Sequence, residues 1–440
     1  MTRTLKTWAL AALCAALSAV AAHAEVAVFK NFSLVDTVGG RVAPNSAMVI
    51  DGGKIKWVGP AAKLRAPAGA VATDLGGKYV MPGLIDLHVH LGAVRDLTQD
   101  GTFYSRASVE KDLRQYAAYG VTTVQSLGTD GDAIFAIRAD QRAGRPTFAR
   151  VFAAGQGIVY RGGFGVPGIN HPISTAAEAV AEVNAQADKG ADFIKLWVDD
   201  DLGAQPKMPL DIARAVIDAA HRRHLRAVAH VFYLKDAKAL VDVGVDGFAH
   251  MVRDQPVDDA FLKAMKARGV WQVAGTLSRD ASIFAFGVRP AFLDDPFFRK
   301  AVSPGALALL DTDQRRASVA GNPHYEDYMR ISAMGASNLR RMADAGVKIA
   351  FGTDSGPPAR FAGYFAHWEL EELVADGFSP AQALTMATKT AATWLGAKDL
   401  GEIAPGKQAD FVVLTANPLV DIHNTHKISG VYIAGAPAGQ

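Results

Sequence analysis

Two histidines, His88 and His90, end the apolar run MPGLIDLHVH. Alternate side chains of a strand share a face, so both imidazoles converge on one point. Such a pair reads as half of a metal site. Further ligand-capable side chains stand near the ends of other apolar runs: Lys195 in DFIKLWV, His230 in RAVAHVF, His250 in VDGFAHM and Asp354 in VKIAFGTD. One strand-end histidine alone reads better as a hydrogen-bonded core residue; four of them shift the reading to metal. Lys195 interrupts an apolar strand, where an unpaired ammonium is costly. Two readings stay open for it: an ion pair with Asp199 or Asp200, or reaction with carbon dioxide to a carbamate that bridges two metals. Asp354 either caps a turn or serves as ligand and proton carrier.

The elements that position these groups follow from periodicity. Eight apolar runs, at 85–90, 121–127, 149–155, 192–198, 226–232, 245–251, 270–277 and 347–354, alternate with mostly helical patterns. Gly120, Gly190 and Gly244 each precede a strand, where a helix C-terminal cap is expected. The alternation predicts an α/β fold, a (β/α)8 TIM barrel over residues 83–399. All strand ends of a parallel barrel open on one face, so residues distant in sequence meet in one pocket. The long connections 155–174 and 278–328 are expected to form pocket walls and lid. Residues 25–82 and 400–440 read instead as short strands, with turns at the Gly pairs 39–40, 52–53 and 76–77. Both chain ends are expected to build one small β-sandwich domain.

The chain has 440 residues, half of them hydrophobic and 20% charged, an ordinary globular composition. Lys plus Arg (46) nearly balance Asp plus Glu (44), and no basic run marks a nucleic-acid footprint. At the amino terminus, Arg3 and Lys6 precede an apolar stretch from Trp8 to Ala22 and the small-x-small triplet Ala22-His23-Ala24. This reads as a secretory signal over residues 1–24, cleaved after Ala24, and the alternative is a membrane anchor. The expected location is therefore the periplasm or the exterior, with no stable membrane anchor after cleavage. Cys14 is the single cysteine and lies within the signal. The mature chain then has no disulfide, thiolate nucleophile or cysteine zinc site.

The MPGLIDLHVH motif, the fourth-strand lysine, the histidines ending strands five and six, and GTDSG after strand eight resemble the amidohydrolase superfamily. So does GEIAPGKQADFVVL as the return to the small domain. GADFIKLWVDD and SPAQALTMATKTAATWLG look like its imidazolonepropionase-like, prolidase-like (Xaa-Pro dipeptidase-type) branch. The resemblance implies two divalent metals, zinc first, with manganese or cobalt as alternatives. His88, His90 and Asp354 would hold one, His230 and His250 the other, and N6-carboxylated Lys195 with a hydroxide would bridge them. It also implies hydroxide attack on an amide carbonyl, with Asp354 passing the proton to the leaving amine.

Other positions bear on substrate. Deaminase branches often carry a glutamate three residues after the fifth-strand histidine; here that position is Tyr233, which counts against deamination. Arg253 is placed either to bind a substrate carboxylate or to pair with Asp254. Tyr160, Arg161 and His171 in the third loop are candidate substrate contacts, as is Tyr233. His367 reads as either a supporting group behind the site or a solvated helix residue. His221 and His224 read as structural, Asp130 as a helix cap, and His324, His423 and His426 carry no functional reading. The expected function is hydrolysis of an amide or peptide bond in a small molecule, a dipeptide or N-acyl amino acid. Lactone, ester or organophosphate hydrolysis is the alternative, and a non-catalytic binding protein is disfavoured by the complete ligand set. A homo-oligomer stays open.

Overall fold

Three strands, Leu84–Val89, Val121–Ser126 and Phe193–Val198, are buried at every position. No polar alternation survives because both faces are covered, as in a parallel sheet with helices outside it. The computed structural model describes residues 26–166 and 168–439, so the expected signal over 1–24, with Cys14, lies outside the described residues.

The strands pair in parallel, in chain order. Ile85 faces Thr123, Val124 faces Val151, Lys195 faces Val228, Ala229 faces Phe248 and Phe248 faces Gln272. The Asp192 N–H donates to Ala153 O at 2.8 Å and joins the third strand, Arg150–Ala153, to the fourth. Parallel bridges Gln272–Ile349 and Val89–Ser355 carry the path through the eighth segment and back to the first strand. The ring closes as a (β/α)8 barrel. Its late strands are shorter than the apolar runs that foretold them. The sixth and seventh reduce to Gly247–Phe248 and Trp271–Gln272, and the eighth segment pairs through isolated bridges.

Helix ends follow local chemistry. Thr175 and Glu178 form a reciprocal capping box at the start of Ala176–Asp188. Gly120, Gly190 and Gly244 take positive φ where the chain leaves a helix for a strand, as the sequence predicts. Inside the barrel, Leu87, Phe193, Val228, Ala249, Val273 and Ala350 form one apolar cluster with Trp394. Trp394 stacks on Phe193, the first residue of the fourth strand, and donates to Gln125 Oε1 at 2.9 Å. It plugs the amino-terminal mouth and leaves the opposite mouth to the polar residues.

The small β unit is a single hydrogen-bonded sheet of eight strands from both chain ends. Val80 pairs with both Leu34 and Val413. In a flat sheet with that register, Phe29 and Phe411 would lie more than about 20 Å apart. Their rings are 5.2 Å apart. Register shifts around Phe32 bend Ala27–Asp36, so the two halves of the sheet face each other like the layers of a sandwich. Phe29, Phe32, Phe411 and Val413 fill the space between them.

Arg150 of the third barrel strand clamps Asp410 of the small unit, Nε to Oδ2 at 2.6 Å and Nη2 to Oδ1 at 3.1 Å. Asp410 also accepts from Ala434 N at 2.7 Å. Asp410→Asn leaves a largely buried guanidinium without its counter-charge. The expected cost is about 3 kcal/mol, read as a lower denaturant midpoint; an unchanged midpoint would show that the clamp contributes nothing.

Candidate metal centre

The six residues singled out as ligands are five from four strand ends, His88 and His90 sharing the first, and one lysine inside a strand. All are buried. Ligand-capable atoms of His88, His250 and Asp354 lie within 4.8 Å of one another. The His88 ring sits 5.2 Å from His90 and 4.8 Å from His250, and His250 sits 4.2 Å from His230. This cluster unites residues that the resemblance divides between two metals, which places the two sets side by side.

Each imidazole is anchored through one nitrogen. His88 Nδ1 donates to Ala249 O at 3.1 Å, and His90 Nδ1 lies 2.8 Å from Thr129 Oγ1. His250 Nδ1 lies 3.2 Å from Thr276 Oγ1, and His230 Nε2 donates to Asp199 Oδ2 at 2.7 Å. Such partners fix ring orientation and tautomer and leave the other nitrogen for a ligand. Burial lowers the pKa of all four rings, of His230 to about 4. They are neutral at pH 7, the form that binds metal.

Asp354 has a left-handed backbone, φ 56°, which turns its carboxylate toward the first strand. Oδ1 lies 2.8 Å from His90 Nε2 and 3.5 Å from His88 Nε2. Oδ2 accepts from Arg360 Nη1 at 2.5 Å. Burial opposes its ionisation, but the Arg360 guanidinium and the hydrogen bond with His90 outweigh it and hold the carboxyl well below the usual range.

Lys195 is 1% exposed, and its Nζ has no hydrogen-bond partner among the described residues. It stands 4.7 Å over the Trp197 ring. Burial pulls its pKa down to about 7. The ion pair that was one of its two readings is absent: Asp199 holds His230, and Asp200 holds Lys207 and Tyr233. A buried orphan amine beside four ligand-ready imidazoles and a carboxylate fits a two-metal centre with a carboxylated lysine.

Several sequence expectations need correction. Arg253 pairs with Asp280, at 2.7 Å, and not with Asp254, which accepts from Leu234 N. It is sealed behind the cavity wall. Arg161 bonds Ser174 and His171 faces Glu182, so both serve the third loop. Neither they nor Tyr160 lines the cavity, and Tyr233 is engaged by Asp200. His367 is neither solvated nor behind the site; it is buried between Thr425 Oγ1 and Tyr119 O, each at 2.9 Å. Asp130 caps no helix: its buried carboxyl accepts from Ser126 Oγ, and the following helix begins after Asp132. His221 is structural, as read, paired with Asp246.

The cavity above the histidines has a volume of about 220 Å³. Phe164, Val166, Trp197, Arg279 and Arg360 join the ligand residues around it. The third loop supplies Phe164, 5.2 Å from the His230 ring, because Ile158–Tyr160 pairs with the fourth strand and is not a free lid. Arg279 and Arg360 carried no signal in the sequence, since Arg279 sits in the first turn of the helix Leu277–Ala285 and Arg360 in the loop after strand eight, and the strands do not fix the path of either segment.

Gly356 seats Asp354. Its φ is 113°, and a Cβ there would lie 1.9 Å from His90 O. Gly356→Ala therefore forces the segment after strand eight away from strand one. The expected loss is about 2 kcal/mol or more, measured by denaturant unfolding; wild-type stability would show that the seam tolerates displacement.

The amidohydrolase family model matches residues 79–437. An imidazolonepropionase from Streptomyces avermitilis is 28% identical over 386 residues, 84% of this chain and 81% of that protein. Among solved structures, a protein from Bifidobacterium longum provisionally named a prolidase shares a TM-score of 0.75 and 25% identity, covering 95% of both chains. A Xaa-Pro dipeptidase with methionine bound in its active site shares a TM-score of 0.73 at 23% identity, covering 94% of this chain and 99% of that one. With the family's motifs at the mouth of a closed barrel, the chain belongs to the amidohydrolase family and is a hydrolase acting on carbon–nitrogen bonds.

Proposed function

We propose that this hydrolase cleaves the amide or peptide bond of a dipeptide or N-acyl amino acid, using two divalent metals. His88, His90 and Asp354 would hold one, His230 and His250 the other, and carboxylated Lys195 would bridge them. The observation that carries the reading is the set of four neutral imidazoles, each anchored through one nitrogen, around Asp354 and the orphan Lys195 amine. Nitrogen and oxygen donors suit zinc. The amino-terminal pattern supports export to the periplasm or the exterior.

Bound there, the cations would acidify a water and polarise the scissile carbonyl. Asp354 is ionised in this setting and accepts the water's proton, then gives it to the departing amine. Arg360 holds its outer oxygen during that exchange. Asp199 keeps the His230 tautomer fixed. Phe164, Val166 and Trp197 exclude bulk water from one side. Tyr233 is engaged by Asp200 and offers no carboxylate after His230, which favours hydrolysis over deamination.

Protein purified without chelator is expected to contain two metal equivalents by elemental analysis. It should turn over N-acyl amino acids or dipeptides faster than lactones or phosphotriesters, and lose that activity on chelation. One equivalent at full activity would sink the two-metal reading; turnover of lactones or phosphotriesters alone would sink the amide reading.

Carboxylation of Lys195 needs its neutral amine, which forms the N–C bond to carbon dioxide and releases a proton. With a pKa lowered to about 7, that amine is mostly neutral at pH 8 and mostly protonated at pH 6. At fixed dissolved carbon dioxide, metal-stripped protein should therefore recover activity several-fold faster at pH 8 than at pH 6. Lys195→Ala should recover almost none at either pH. Full recovery in that variant would remove the lysine from the centre.

A further inference from the structure

Two guanidinium groups reach the cavity, one from the first turn of a helix and one from a loop. Arg279 follows the seventh strand and Arg360 the eighth, and Asp354 is the only carboxylate that joins them in the lining among the described residues. The wall is cationic before any metal is counted. Arg360 Nη1 lies 2.5 Å from Asp354 Oδ2, while Arg279 Nε stands off at 3.5 Å. That Nε is buried and has no hydrogen-bond partner among the described residues.

Arg279 is held in place from behind. Its Nη1 donates to Asp280 Oδ1 at 2.6 Å, and Asp280 is itself gripped by Arg253 at 2.7 Å. Glu369 accepts from Leu277 N at 3.0 Å and from Ser278 N and Oγ at 2.7 Å each, which pins the first turn of the helix Leu277–Ala285. A guanidinium has five donors, and Arg279 spends few of them on the protein. A fixed, partly unpaired fork beside a reaction centre suits a carboxylate. Phe164, Val166 and Trp197 supply apolar lining in the same cavity. Its volume of about 220 Å³ leaves room for a small amide beside the ligand residues.

We propose that Arg279 and Arg360 bind the free carboxylate of the substrate, so that the enzyme acts on small amides of amino acids with an unblocked carboxylate and an apolar acyl group. This rests on the amide-hydrolysis reading above and names the specificity residues within it.

Equilibrium binding tests it without turnover. N-benzylglycine and N-benzylglycinamide differ in the carboxylate and contain no scissile N-acyl bond. Calorimetry on the metal-loaded protein should show the acid binding at least tenfold more tightly than the carboxamide. In Arg279→Met and Arg360→Met, matched to wild type in metal content and unfolding midpoint, that preference should fall below threefold, and Arg279→Lys should keep part of it. Arg279→Met leaves the Arg360–Asp354 pair in place and carries the test if Arg360→Met does not fold. Equal affinity for acid and carboxamide in the wild type, or an undiminished preference in Arg279→Met, overturns the proposal. Acid preference in a protein that hydrolyses no amide would keep the carboxylate site and reject the amide reading instead.

Discussion

The seam between the eighth barrel segment and the first strand governs the rest of the site. Leu87 N donates to Phe351 O, Asp354 N to His88 O and His90 N to Ser355 O, at 2.9, 2.7 and 2.8 Å. These bonds close the barrel and set His88, His90 and Asp354 against one another. Buried Asp86 locks the seam from below by accepting from His88 N, Thr353 N and Thr353 Oγ1. Thr353 Oγ1 continues to Ser355 Oγ, and that hydroxyl to the Tyr116 hydroxyl. A buried polar network of this kind is rigid because each lost bond exposes an uncompensated group.

The same constraint, that buried charge must be paired, organises the outer ring. Arg253, Asp280, Arg279, Asp354 and Arg360 form an alternating chain of charges behind and around the cavity. Breaking one link strands its neighbour in a low-dielectric setting. The chain also explains why Arg253, the arginine nearest to a ligand in sequence, is structural. It neutralises Asp280, and Asp280 in turn orients Arg279.

The ligand-capable residues were legible because each ends or interrupts a strand, and strand ends of a parallel barrel share one face. His88, His90, Lys195, His230, His250 and Asp354 needed no knowledge of loop paths. Tyr160, Arg161 and His171 were read less well. The third loop pairs its own short strands, Ile158–Tyr160 and His171–Ile173, and that pairing spends these side chains on the loop itself. His367 was misplaced because its helix, Tyr364–Ala375, is buried along several faces and shows no clear polar side.

The sequence by itself determined the strand and helix alternation, the small β unit drawn from both chain ends and the residues carried to the barrel mouth. These follow from local periodicity and from the geometry of a closed parallel sheet. Only the tertiary structure decided which nitrogen of each imidazole is spoken for, that the Lys195 amine has no hydrogen-bond partner among the described residues, and that Arg279 and Arg360 face the cavity while Arg253 does not. Those outcomes depend on contacts between segments far apart in the chain. Asp199 with His230 and Glu369 with Ser278 are such contacts, and no spacing within one element encodes them.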